Sequence, residues 1–102
     1  MVTENAIPPH VQKDLDSGFI MTDEDDGFQR CKKLSDTCFL YRCDVNGEVY
    51  EDTIDVTKLD QKEAISGYYD SVESLIEENG QADANMLIAE CHFEHTCPMQ
   101  LP

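Results

Sequence analysis

The chain has no tryptophan and, beyond Lys62, no lysine or arginine. Nowhere does an apolar run approach the roughly 20 residues that a membrane-spanning helix needs. There is no glycine-rich phosphate loop, no serine elbow, no C-x-x-C pair and no basic patch with interleaved aromatics. The chemistry that those motifs carry has no visible seat, and the chain is not expected to be an enzyme or to hold a cofactor. The opening stretch MVTENAIPPHVQKDLD lacks both a charged leader and an apolar segment, so no secretory signal is legible. The scarcity of bases excludes the most. With 22 acids against seven bases, the formal net charge is −15. Phosphate binding needs Lys and Arg, so DNA, RNA and anionic membranes are disfavoured as direct ligands. A basic protein surface or a metal cation is favoured, unless the acids serve only to keep the chain dissolved.

What is present suffices for one small core. The 102 residues are 40% hydrophobic, with four phenylalanines and four tyrosines. We expect a single α+β domain over residues 1–102, with residues 1–8 as a flexible arm and 98–102 as a tail. Its five cysteines form an odd set, whereas secreted disulfide scaffolds usually hold an even number. That favours reduced thiols and a cytoplasmic setting. Cys43 and Cys91 could bridge if their strands are neighbours, yet buried small hydrophobes need no further role.

Local signals predict the order α-α-β-β-α-β. Pro9 suits the first turn of a helix over 10–17, with Gly18 beyond its end. Thr22 is placed to cap a second helix reaching Leu34, with acids in its first turn, bases in its last, and Phe28, Cys31 and Leu34 as its stripe. Asn46-Gly47 between two strand-like runs predicts a hairpin with a type I′ turn. That turn sets Val45 opposite Glu48, Cys43 opposite Tyr50, Arg42 opposite Glu51 and Phe39 opposite Ile54. Phe39, Tyr41, Cys43, Val45, Tyr50 and Ile54 then share a core face, and the other face stays mostly wet. Asp60 and Glu63 have capping-box spacing ahead of a helix over 61–78, striped by Ile65, Tyr68, Tyr69, Val72, Leu75 and Ile76. Asn79-Gly80 ends it. MLIAECHFEH alternates, predicting a half-buried C-terminal strand that pairs with the hairpin in an antiparallel-based sheet packed against the amphipathic helix.

Two metal patterns were weighed. DEDDG places its glycine fifth from Asp23, where a calcium loop needs it sixth, so Asp23 to Asp26 read as a helix N-terminus instead. Cys91, His92, His95 and Cys97 are the residues from which a small Cys/His zinc site would be built. On a strand, however, His92 points away from Cys91, and Cys91 and Cys97 lie about 20 Å apart. No metal is therefore expected.

The acids remain. From Glu63 to Pro102 there are eight of them and no lysine or arginine. On a helix over 61–78, Glu63, Asp70, Glu73 and Glu77 form a solvent-side stripe, which Glu90 and Glu94 on the strand continue. Like charges at i and i+4, as at Glu73 and Glu77, repel by a few tenths of a kcal/mol. Glu77 and Glu78 also oppose the helix dipole. Stability does not account for that choice; a cationic partner does. The expected partner is a basic nucleic-acid-binding enzyme or effector, occupied by carboxylates spaced like phosphates. In size and charge alone the chain resembles small phage-encoded inhibitors of the anti-restriction or anti-CRISPR type, with no motif shared. A generic acidic protein-interaction domain is the alternative.

Overall fold

Four antiparallel strands in simple meander order, β1-β2-β3-β4, divide the protein into two unequal layers. The computed structural model describes residues 7–25 and 27–96. In chain order the elements are α1 (Pro9–Asp16), β1 (Ile20–Asp23), β2 (Gln29–Lys33), β3 (Cys38–Val45) and β4 (Glu48–Asp55). A 3-10 turn (Val56–Lys58) leads to α2 (Gln61–Ile65), α3 (Val72–Asn79) and α4 (Gln81–Thr96). The expected α+β class holds, but the order of elements inside it differs. The expected arm at 1–8 and tail at 98–102 lie largely outside the described residues.

The hairpin forms as its turn dictates. Asn46 and Gly47 both have positive φ, 53° and 86°. The partners Val45–Glu48, Cys43–Tyr50, Arg42–Glu51 and Phe39–Ile54 sit opposite one another. One face of the sheet carries Phe39, Tyr41, Cys43 and Ile54 into the core with Cys31 of β2, and Val45 and Tyr50 pack at its edge. Helices α2, α3 and α4 cover this face, contributing Ala64, Ile65, Leu75, Ile88 and Phe93. Phe93 stacks on Tyr41 at 5.3 Å between ring centroids and tilts against Tyr50 at 5.6 Å. The Tyr41 hydroxyl donates to the Met86 carbonyl, tying α4 to the middle of the sheet.

Three expectations are corrected. The helix from Thr22 to Leu34 is instead a hairpin of β1 and β2. The Asp25 amide donates to the Asp23 carboxylate in a local turn, and Gly27 and Phe28 both take positive φ, 72° and 53°. Side chains that can bond the nearby backbone favour turns over helix. Cys31 is buried, but Leu34, expected beside it on a helical stripe, is exposed.

The helix over 61–78 is broken. Ser66 caps the end of α2, Gly67 turns the chain with φ 91°, and Ser71 starts α3 by accepting from the Ser74 amide. Tyr68 and Tyr69 consequently fall in a connection and are exposed rather than in the core.

The third correction is the C-terminal strand: residues 86–95 belong to α4. Ala84, Asn85, Ile88, Ala89, Cys91 and Phe93 are all buried along this helix. A helix covered on most sides shows no clear apolar stripe, and within a short window the remaining pattern passes for alternation.

The opposite sheet face is wet only in part: Glu51 and Thr53 are exposed, but Arg30 is buried. Arg30 and Arg42 lie directly opposite each other on β2 and β3, and α1 is fastened over them. Asp14 of α1 accepts from Arg30 Nε at 2.9 Å and from Arg42 Nη1 at 2.8 Å. Val11 is fully buried beneath α1, and the Arg42 guanidinium sits 4.8 Å from the Phe19 ring centroid.

Candidate functional site

The charges sort by layer. On the α1 side they pair inward. Arg30, whose side chain is 1% exposed, bonds Asp14, Asp44 and the Phe28 carbonyl. Arg42 bonds Asp14 and Glu51, and His10 meets Asp44 at 2.7 Å. Lys33 and Asp36 form a separate, solvent-exposed pair at the end of β2. The buried Arg30 was not legible as such, since the sequence places it with Lys32 and Lys33 in the last turn of a helix.

On the other side, Glu63, Asp70, Glu73 and Glu77 are all exposed, together with Glu78 and Asp83. They take part in no ion pair among the described residues. Glu63 stands in the first turn of α2 beside the capping Asp60, whose carboxylate accepts from the Glu63 amide. Asp70 sits in the connection, and Glu73 and Glu77 share one side of α3. The four are thus distributed over two short helices and the link between them, not along one continuous stripe. Tyr68 and Tyr69, both about two-fifths exposed at 42% and 41%, stand beside Asp70.

Glu90 and Glu94 differ from these four. Both are half-buried on α4. Burial, the neighbouring Glu94 carboxylate with its hydrogen bond, and Asp23 together push the Glu90 carboxyl up to about 7. Glu90 and Glu94 thus form a hydrogen-bonded acid pair that a proton on Glu90 can bridge. The same pair acts on its surroundings. Burial, then Glu94 and Glu90, push the Cys91 thiol up to about 12, and burial pushes Cys31 up to about 11. Both shifts run against the lowered pKa that marks a reactive cysteine.

The helix rearranges the Cys/His set. Cys91 points into the core, whereas His92 and His95, three residues apart, face outward; Cys97 lies outside the described residues. No disulfide joins Cys43 to Cys91, and Cys31 and Cys38 are likewise unbridged. Among the described residues no group of three or more His, Cys, Asp or Glu is placed to hold a metal ion.

Instead His92 and His95 form one wall of a cleft of about 460 Å³. Asp60, Glu63 and Ala64 of the α2 segment form the other. The Tyr68 ring stands edge-on to His95, with centroids 5.3 Å apart. Sequence reasoning singled out both histidines and Glu63 but could not bring them together, because it placed residues 86–95 in a strand. The chain matches no protein-family model, and comparison with curated proteins and with solved structures gives no significant match.

Proposed function

We propose that the protein is a non-enzymatic acidic inhibitor that docks on the basic nucleic-acid-binding surface of a partner protein and keeps nucleic acid off it. One observation carries this: Glu63, Asp70, Glu73 and Glu77 face solvent without a paired cation, while both arginines are held by carboxylates on the far layer. Two features of α3 support it. Glu73 and Glu77 are one turn apart and repel, and Glu77 and Glu78 lie at the C-terminal end, where the helix dipole disfavours anions. A cationic surface relieves both. Tyr68 and Tyr69 add exposed aromatic area next to these acids, the combination that interface centres favour. Glu90 and Glu94 extend the set on α4 as recessed members. A restriction nuclease or CRISPR effector is the class of partner in view, which would make this a phage-type inhibitor acting in the cytoplasm.

The test is affinity capture at low and high salt, followed by assay of any captured nucleic-acid enzyme with and without the protein. Inhibition should weaken roughly tenfold or more in the Glu73→Lys/Glu77→Lys variant, and its salt dependence should flatten. A double variant that inhibits as well as the parent would show that these acids are only a solvated surface.

A further inference from the structure

Resting on the docking role proposed above, we infer that the cleft between α2 and the last turns of α4 receives an arginine side chain of the basic partner. The lining decides the chemistry. It includes no lysine or arginine, and its polar groups offer acceptors from both walls. Asp60 and Glu63 contribute carboxylates. One Asp60 oxygen is engaged by the Glu63 amide, which leaves the second to a ligand. Thr96 directs its own hydroxyl hydrogen back to the His92 and Phe93 carbonyls, so its oxygen lone pairs remain to accept. A neutral histidine contributes one ring acceptor.

A ligand answering this set must be rich in donors, and a guanidinium has five donors and no acceptor. It is also planar and stacks on rings, which suits the His95 ring of the lining, held edge-on by Tyr68. Leu59 and Ala64 supply apolar surface for the methylene stem. A lysine ammonium gathers its three donors at one point and cannot span both walls in the same way. A bare divalent ion fits poorly, since among the described residues no three ligating groups converge. The volume, about 460 Å³, lies within the common range of ligand clefts, roughly 300–1,000 Å³. The exposed acids of α3 would supply attraction at a distance, and this cleft the preference for arginine.

Two-dimensional amide NMR on the whole chain tests it, with acetyl-arginine amide and acetyl-lysine amide as probes at low salt. The arginine probe should shift amides within 59–66 and 92–96, and the lysine probe should bind about five times more weakly. Glu63→Gln and His95→Leu should each weaken the arginine response and erase the preference over lysine, while Glu73→Lys/Glu77→Lys should weaken both probes alike and keep that preference. Circular dichroism of each variant confirms that it is folded, and His95, exposed at the end of α4, guards against a folding artefact at Glu63. No response, an equal response to both probes, or a response lost only in the α3 variant would overturn the cleft assignment. In that case inhibition of a basic enzyme could still stand on the acidic surface. Arginine binding in the cleft with no inhibition of any basic enzyme would instead leave the cleft and remove the docking role.

Discussion

The two layers of this protein use charge in opposite ways. Around α1 the carboxylates of Asp14, Asp44 and Glu51 converge on Arg30 and Arg42 and fix a helix to the sheet. Across the sheet, the acids of α2, α3 and the link between them face water and form no ion pair among the described residues. Residues of identical type are thus bound into the fold in one place and turned to water in the other. Burial and the presence of a cation separate the cases, and the net charge of −15 does not.

The contrast can be broken at several points. The largest effect is expected from Arg30→Met. It removes a guanidinium buried to 1% exposure and leaves Asp14 to Arg42 alone and Asp44 to His10 alone, so urea unfolding should register a loss of about 3 kcal/mol. A loss no bigger than that of a surface change would mean that α1 is held by Val11 and its neighbours alone.

Glu90→Gln comes next, and its effect depends on pH. With a folded value of about 7 against an ordinary 4.5, Glu90 costs nothing at low pH, where it is protonated in both states. Stability is lost as pH rises through that interval, because the unfolded chain ionises first, and the cost is at its full size above the folded value. The variant should therefore gain about 1–2 kcal/mol over the parent in mildly alkaline buffer, discounted for the water that still reaches this side chain, and little in acid. An equal gain at both pH values would remove the bridging proton.

The smallest effect belongs to Glu77→Gln with Glu78→Gln. Relief of the dipole and of the repulsion with Glu73 should stabilise the fold by a few tenths to about 1 kcal/mol, and salt should erase the gain. Destabilisation would show instead that the outer acids belong to the architecture.

Legibility from sequence followed the range of the determining interactions. The Asn46-Gly47 turn, the Asp60 cap, Pro9 in the first turn of α1 and the stop at Gly80 are decided within a few residues, and all stand in the structure. The core face of the hairpin followed from its register. Elements whose identity depends on distant contacts were misread. Residues 86–95 alternate in polarity, yet they become helical because α4 is enclosed by the sheet and by α2 and α3. The helix-forming residues Ala82, Ala84, Met86, Leu87 and Ala89 were the available signal. The break at Ser66-Gly67 and the Ser71 cap were also present but were overridden by an apolar periodicity that runs through them. Of the candidate site, the exposure of Glu63, Asp70, Glu73 and Glu77 was legible. The meeting of Glu63 with His92 and His95 needed the third dimension.

The two borders of the sheet carry a further consequence. Strand β1 has four residues and shifts register between Met21 and Asp23, while β4 bears Glu48, Glu51, Asp52 and Asp55 along its length. Adjacent strands lie about 4.8 Å apart, so a second β4 aligned on the first would oppose carboxylate to carboxylate, and the shortened, irregular β1 offers few bonds to extend. Neither margin is a good template for growth into a fibril, even when crowded copies collide.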